Sequence, residues 1–292
     1  MRRARIQPAL LLAPAVAGLF IFVYLPLLQD VWLSFYSWNM VSPTMKFIGL
    51  DNFRAIITGA DLGKVLGNTL LYVAVLLFLN FLLPYIGSFA LAHCITRGSF
   101  FYRAALFIPS TVSLAVASIL FLWIFNPLAG PLCILLSAAG AESPRWFKEP
   151  GLVVAVIGLI IGWKVFGYNL IVLMAAMVDV PKELIEAAKL ENASNWDIFR
   201  RIIVPMTSST ALYVFVITIV FGLQYVLVPV NMITQGGPDQ GSTNIVYIIY
   251  QYAFTFFQTG KAAAFSLITM LVYAAFLVFK TKVLDKKVHY ET

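Results

Sequence analysis

The sequence predicts an all-α, polytopic membrane protein that crosses the bilayer as six helices. Of its 292 residues, 61% are hydrophobic and only 11% are charged, whereas soluble domains carry about 25% charged residues. Six apolar runs, each close to the roughly 20 residues that a bilayer requires, are separated by polar segments. Since hydrocarbon offers the backbone no hydrogen-bond partner, each run is predicted to be a helix.

The apolar runs can be placed in chain order. The first begins after a short basic segment and continues well past the possible signal-peptidase site at Ala15 and Ala17, as a spanning helix does. A mixed apolar and polar pattern at residues 46–57 predicts a short interfacial helix, and a Pro- and Gly-rich loop precedes the fourth run. The six spans are predicted at residues 9–33, 66–92, 104–125, 151–178, 205–230 and 262–279.

The basic residues predict the orientation. With both termini inside, the inner segments carry thirteen Lys and Arg residues and the outer segments carry six. Cytoplasmic loops are enriched in these residues, so both termini are predicted to be cytoplasmic. Cys94 then lies inside and Cys133 outside, which argues against a disulfide, and the sequence shows no set of metal ligands. The dispersal of the basic residues among apolar spans argues against nucleic-acid binding, despite a net charge of +7.

One polar segment, residues 182–205, predicts two short helices joined by a sharp turn. Pro181 suits the first turn of a helix, and Ser194 followed by Asp197 is a capping-box pattern that starts the second helix. Asn192 lies between the two helical runs. Because Asn adopts the left-handed conformation more readily than most other residues, it is predicted to end the first helix and redirect the chain.

This segment resembles the EAA loop of ABC-importer permeases. Glu186, Ala187 and Ala188 match the motif itself, Glu191 takes the place of an aspartate, and Asn192 replaces the usual glycine. The resemblance implies that the first short helix docks in a groove on an ATPase subunit. In that role the alanines allow the two backbones to approach closely, and the glutamate meets basic groups of the partner.

Three further stretches are similar to the carbohydrate branch of these permeases, which includes maltose and glycerol-3-phosphate importers. They are RGSFFYRAALFIPSTV, WKVFGYNLIVLMAAMVDVPKELIEAA and QGGPDQGST. The resemblance covers nearly the whole chain and implies the type I ABC importer permease fold. Its implied parts are a first-helix segment at residues 1–64, a permease core at 65–280 with the EAA-like loop at 179–205, and a cytoplasmic tail at 281–292.

The resemblance also implies the partners and the location. It implies a second, similar permease chain, two ATPase subunits and an extracytoplasmic solute-binding protein. The complex is expected in a bacterial cytoplasmic membrane, where this chain contacts the lipid. The sequence contains no G-x-x-x-x-G-K-[ST] motif. ATP and Mg²⁺ would therefore be bound by the ATPase subunits, and this chain would be a non-catalytic subunit that binds no cofactor.

Other classes of membrane protein fit less well. An ion-coupled secondary transporter would need intramembrane carboxylates, and Asp30, the one acid near a span, lies at the outer end of the first. A channel would show a filter-like repeat, and a membrane enzyme would show a nucleophile–base pair or a metal cluster. Neither pattern occurs in the sequence. An ABC permease for a non-carbohydrate solute is a further alternative.

The resemblance to maltose importers also implies candidate substrate residues, because the helices that flank the loop contact the sugar there. An ungapped alignment on the EAA-like loop gives Lys164, Val165, Tyr168, Thr218, Phe221, Gly222 and Tyr225. Val165 and Gly222 depart from the family pattern, and polar amides found there are missing, so identical sugar contacts are not implied. Asn169 and Gln224 are polar neighbours whose direction the sequence leaves open.

Lys164 is the one basic residue within a predicted span. A charge at membrane depth is costly and usually faces a cavity or a partner. Along a substrate pathway it could hydrogen-bond sugar hydroxyls or an anion. It could equally pair with a backbone carbonyl or with a neighbouring subunit, and the sequence leaves both interpretations open.

Overall fold

The computed structural model describes residues 3–95 and 97–284, and these are mostly helical. Among these described residues, five helices are long and apolar enough to cross a membrane, and they match the first, second, fourth, fifth and sixth predicted spans. Of the predicted tail, residues 285–292 lie outside the described residues. In chain order the elements are α1 (residues 3–33), β1 (Tyr36–Ser37), β2 (Lys46–Phe47), α2 (Asp51–Ile57), α3 (Leu62–Cys94), α4 (Ser99–Thr111), α5 (Leu114–Ile124), α6 (Pro131–Ala138), α7 (Leu152–Val178), α8 (Lys182–Leu190), α9 (residues 195–206), α10 (Ser208–Thr234), α11 (Ile245–Thr255) and α12 (Thr259–Lys282).

The third predicted span, residues 104–125, is not one continuous helix. It consists of α4 and α5, which are bent by 101° at the break between them. Pro109, which lacks an N–H, lies in the last turn of α4. Ser113 starts α5, because its Oγ accepts a hydrogen bond from the Val116 N–H at 3.2 Å. Counted as one broken span, the pair brings the number of candidate spans to the predicted six.

The described residues form two compact units, one of residues 3–62 and 248–274 and the other within residues 63–247 and 275–284. In the first unit the predicted short helix at residues 46–57 is shorter than expected, because only α2 is helical. Before it, β1 and β2 pair antiparallel with Tyr36 opposite Phe47. Strands of two residues have no alternating pattern that a sequence could show. The predicted division at residues 64 and 280 stays a prediction.

Helix α7 is the central helix of the second unit. More than half of its most apolar stretch is buried, and it contacts α3, α4, α5 and α10. Its apolar residues occur on all sides, as expected for a helix that is surrounded by other helices. Val153, Ile157, Ile160 and Ile161 are fully buried. One face of α7 therefore lies beside α4 and α10, and a cavity opens there.

The segment between α10 and α11 is held by side chains of α3. The Asn68 amide donates to the carbonyls of Gln240 (2.7 Å) and Thr243 (3.1 Å). The Tyr72 hydroxyl donates to the carbonyl of Ser242 at 3.0 Å. The QGGPDQGST stretch is therefore fixed to the first half of α3 by hydrogen bonds from buried and half-buried side chains, although it is a loop.

Candidate functional site

A cavity of about 480 Å³ opens in the second unit among α3, α4, α7 and α10. All seven substrate positions inferred from the sequence line it, although they come from two helices separated by the EAA-like loop. The structure adds seven residues that the sequence did not single out as substrate positions. The complete lining is Asn80, Phe107, Ser110, Thr111, Lys164, Val165, Tyr168, Asn169, Tyr213, Ile217, Thr218, Phe221, Gly222 and Tyr225.

Aromatic side chains form most of the exposed part of this lining. Tyr168 is 50% exposed and Tyr225 is 38% exposed, and Phe221 and Tyr213 are also exposed. An aromatic ring offers an apolar face, and tyrosine adds a hydroxyl that donates and accepts hydrogen bonds. The cavity can therefore stack against the face of a ligand and hydrogen-bond its polar groups.

A layer of buried polar groups lies behind the aromatic residues. The Asn169 amide donates to the Asn80 carbonyl (2.5 Å) and to the Thr218 hydroxyl (3.3 Å), so it joins α7 to both α3 and α10. Thr218 is 3% exposed. The Asn80 side-chain oxygen is buried without a hydrogen-bond partner in the described protein. Asn80 lies in a π-helical turn of α3, Phe78–Leu82, and such turns are frequent at functional sites.

Asn80 was not among the predicted site residues, although its position in the sequence carries a signal. It is a polar amide in the middle of a predicted span, and such residues often join helices or face a cavity. Gln224, whose direction the sequence left open, is exposed and does not line the cavity. Asn169 faces inward, so its direction is settled by the structure.

Gly222 lines the cavity because α10 passes close to α3 at this point. A Cβ atom at position 222 would lie 2.9 Å from Cδ1 of Leu76, which is tighter than van der Waals contact allows. Leu76 is fully buried. A larger side chain at position 222 would therefore require the buried Leu76 side chain to move, which gives this departure from the family pattern a packing reason.

Lys164 reaches the cavity from α7 and also contacts the break between α4 and α5. Its Nζ donates to the carbonyls of Ser110 (2.9 Å) and Val112 (2.5 Å). Within the described residues it makes no ion pair with a carboxylate. Lys164 therefore lines a cavity and also hydrogen-bonds backbone carbonyls, so it has both of the environments that the sequence left open.

The EAA-like loop forms the predicted helix, turn and helix. Helix α8 buries Ile185 and half-buries Ala188, which pack against a hydrophobic cluster shared with α3, α7, α9 and α10. Glu186, Ala187 and Glu191 are exposed. The two alanines of the motif therefore differ: Ala188 contacts the rest of this chain, whereas Ala187 faces outward.

The left-handed conformation predicted for Asn192 is confirmed. Its φ is +60°, and two backbone hydrogen bonds enclose it, from Ala193 N–H to Ala188 O at 3.0 Å and from Asn192 N–H to Lys189 O at 3.0 Å. These two bonds define a Schellman motif, in which glycine or asparagine is preferred at this position. The glycine of the family pattern and the asparagine of this chain thus serve the same turn.

The predicted start of the second short helix is also confirmed. The Ser194 hydroxyl accepts from the Asp197 N–H (3.1 Å) and donates to the Asp197 carboxylate (2.5 Å). This hydroxyl is the main cause that holds the pKa of Asp197 below its ordinary value, and Arg201 contributes less. Exposed apolar groups flank the turn, with Leu190 85% exposed and Trp196 also exposed. The loop thus presents charged and apolar groups on a surface that the described part of the chain leaves uncovered.

No group of three or more His, Cys, Asp or Glu side chains among residues 3–95 and 97–284 lies close enough together to hold a metal ion. Cys94 and Cys133 are both free.

Comparison with known proteins identifies the family. Residues 95–290 match the family described as the binding-protein-dependent transport system inner membrane component. The chain is 28% identical to the sn-glycerol-3-phosphate transport system permease protein UgpA of Agrobacterium fabrum, over 98% of this chain and 97% of that protein. It is 29% identical to the probable ABC transporter permease protein YurN of Bacillus subtilis, over 95% of this chain and 96% of that protein.

Solved structures show the same fold. A bacterial ABC transporter involved in the import of the acidic polysaccharide alginate matches with a TM-score of 0.82 at 21% identity, over 98% of this chain and 96% of that chain. The predicted type I ABC importer permease fold is therefore confirmed. Because the family model covers well over half of the sequence, the chain belongs to the inner-membrane components of binding-protein-dependent transport systems, as a non-catalytic ABC-transporter permease subunit.

Proposed function

We propose that the solute imported by this permease is a carbohydrate, meaning a sugar, an oligosaccharide or a polyol phosphate, and that it passes through the cavity among α3, α4, α7 and α10. The observation that carries the proposal is the lining of that cavity, which combines exposed aromatic rings and tyrosine hydroxyls with a lysine and buried amides. Sugars present apolar ring faces and many hydroxyls, and this lining complements both. The names of the relatives, which refer to sn-glycerol 3-phosphate and alginate, support the same class.

The lining residues divide into two roles by their exposure. Tyr168, Phe221 and Tyr225 are exposed to the cavity and are proposed to contact the solute directly. Thr218 and Gly222 are buried in the wall. Their proposed role is to set the shape of the site, Thr218 through its bond with Asn169 and Gly222 through the close approach of α10 to α3.

Members of this family work with a solute-binding protein and an ATPase, and we propose the composition of the complex. A second, similar permease chain would complete the pathway, two ATPase subunits would bind ATP and Mg²⁺, and this chain would bind no cofactor. Exposed Glu186, Ala187, Glu191 and the turn at Asn192 would form its ATPase contact. Charge-assisted contacts and close backbone approach are the interactions that such a surface supports.

The hydrophobic cluster beneath α8 provides a physical link between the ATPase contact and the cavity. It joins Ile185 of α8 to Leu173 and Met177 of α7, to Val214 of α10 and to Tyr85 of α3. Close-packed interiors transmit displacement because they have few voids. A movement of α8 would therefore be passed to three of the helices that line the cavity, so that ATP-driven closure of the ATPases can change the side to which the pathway opens.

The proposed class is tested by identifying the solute carried by the partner binding protein and by measuring its uptake. In vesicles that contain the purified transporter, uptake is expected to require ATP and to continue when ionophores collapse ion gradients. Mass spectrometry of solute released from the binding protein is expected to show a sugar or a polyol phosphate. An amino acid or peptide would contradict the carbohydrate class, and uptake driven by an ion gradient without ATP would contradict the import mechanism.

The proposed orientation places both termini and Cys94 in the cytoplasm and Cys133 outside. With single-cysteine variants in intact cells or spheroplasts, an impermeant thiol reagent is expected to label Cys133 and not Cys94. Cys94 is exposed and Cys133 is partly exposed, so both thiols are open to the reagent once the membrane is permeabilised. That permeabilised sample is the control, and labelling of Cys94 alone in intact cells would reverse the orientation.

A further inference from the structure

The break between α4 and α5 exposes backbone carbonyls that need partners. Because the last carbonyls of a helix have no partner within the helix, a break at membrane depth is tolerated only where other groups satisfy them. Two are satisfied locally, since the Thr111 hydroxyl donates to Ile108 O (2.8 Å) and the Val112 N–H donates to Pro109 O (3.2 Å). The carbonyls of Ser110 and Val112 are satisfied by a different helix.

That partner is Lys164 of α7. Its ammonium donates to both the Ser110 and the Val112 carbonyl, and so spans the two sides of the break. The end of a helix carries partial negative charge from its free carbonyls, so a cation is stabilised there. This interaction accounts for a charged side chain at membrane depth without a carboxylate partner among the described residues.

Two residues of α7 near Lys164 contact the helices on either side of the break: Trp163 contacts α5, and Gly167 contacts α4. The Trp163 ring contacts the Phe121 ring of α5 edge to face, with centroids 5.4 Å apart. A Cβ atom at Gly167 would lie 2.0 Å from the Leu106 carbonyl oxygen of α4, so only glycine permits the observed approach of the two backbones. Trp163 thus packs on α5, Gly167 packs on α4, and Lys164 hydrogen-bonds the break between them.

We infer that Lys164 is a positioning residue: its ammonium fixes the bend between α4 and α5, and thereby places Ser110 and Thr111 in the wall of the cavity. Both residues line the cavity, and both lie in the last two positions of α4. Without a donor at position 164 the break would leave two carbonyls unsatisfied, and continuing the helix through residues 112 and 113 would satisfy more of them. The bend is independent of which solute is carried, and only the effect on uptake rests on the proposed function.

The bend can be measured directly by the distance between spin labels on α4 and α5. Phe101→Cys and Ile119→Cys place labels at positions that are 72% and 58% exposed, in a protein whose two native cysteines are replaced by serine. A straight helix would separate the two Cα atoms by about 27 Å at 1.5 Å per residue, and a bend of 101° shortens this to roughly two-thirds. The measurement is made on the assembled transporter in lipid nanodiscs, without nucleotide or solute.

Lys164→Met is expected to lengthen or broaden the distance distribution and to lower the maximal uptake rate about tenfold or more. Lys164→Arg keeps several N–H donors and is expected to restore the wild-type distribution and most of the uptake. Tyr168→Met is the matched control, because Tyr168 lies one turn along α7 and lines the same cavity. It is expected to raise the KM while leaving the distance unchanged.

A wild-type distance distribution in Lys164→Met, with a raised KM, would overturn the inference and make Lys164 a direct substrate contact. If the methionine variant does not assemble, Lys164→Gln decides, because it retains amide donors and loses the charge. A shifted or broadened distance distribution in that variant supports the positioning role, whereas a wild-type distribution with near-normal uptake would show that the bend does not require the ammonium and would overturn the inference. A wild-type distance with uptake reduced more than tenfold contradicts it.

Discussion

Glu186→Lys is expected to uncouple ATP hydrolysis from uptake while the permease still inserts into the membrane. Glu186 is exposed on α8, so reversing its charge leaves the packing of this chain intact. The change replaces an attraction to a basic group on the ATPase by a repulsion, and truncating one partner of a buried charge pair costs about 2–5 kcal/mol. Uptake in reconstituted vesicles should fall at least tenfold, with co-purification of the ATPase scored separately.

The control for this variant is Glu142→Lys, which makes the same charge change in the exposed loop that precedes α7, beyond the other end of that helix from α8. It should leave coupling unchanged. A steric test uses Ala187→Trp, because Ala187 faces outward. The same change at Ala188 would disturb the hydrophobic cluster of this chain as well, and so could not separate misfolding from lost docking. Normal coupling in both Glu186→Lys and Ala187→Trp would mean that this loop is not the ATPase contact.

Tyr168→Ala and Tyr225→Ala are each expected to reduce uptake strongly at limiting solute concentration. Both side chains line the cavity and are partly exposed, Tyr168 to 50% and Tyr225 to 38%, so their removal takes away an aromatic face and a hydroxyl without emptying a fully packed core. Loss of one stacking and hydrogen-bonding side chain is expected to raise the KM about tenfold, since each 1.4 kcal/mol corresponds to a factor of ten. The measurement is initial uptake rate against solute concentration in reconstituted vesicles.

Tyr225→Phe separates the two contributions of that side chain, because it removes only the hydroxyl. Tyr102→Ala is the matched control, since Tyr102 is an exposed tyrosine of α4 outside the cavity. It should leave the KM unchanged. If Tyr168→Ala and Tyr225→Ala both match wild type at limiting solute, the solute does not pass through this cavity.

The Glu186 prediction tests the EAA-like loop and the tyrosine prediction tests the cavity, and the same helices connect these two sites. Helix α7 leads directly into the EAA-like loop and α10 follows directly after it, and the cluster around Ile185 packs the loop against both. A substitution at the loop should therefore change the rate of the whole transport cycle, whereas a substitution in the cavity should change the dependence on solute concentration. The proposed ATPase contact and the proposed solute pathway can therefore be tested independently of each other.

Several features were predictable from the sequence because they depend on residues close together in the chain. Five continuous spans follow from runs of apolar residues, and the turn at Asn192 and the cap at Ser194 follow from local backbone preferences. Seven of the fourteen residues that line the cavity were also inferred from the sequence, through an ungapped alignment on a motif that resembles a known family.

Other features required the tertiary structure, because they depend on groups that meet across helices. The sequence is apolar on both sides of the break between α4 and α5, and the partner that stabilises the break, Lys164, lies about fifty residues later. Which alanine of the motif faces inward depends on the helices beneath α8. Local sequence thus determined where this chain forms helices, whereas tertiary packing decided where one of them breaks and which side chains face the cavity. The reason is that a buried carbonyl or a small residue acquires its role only from the neighbour placed against it.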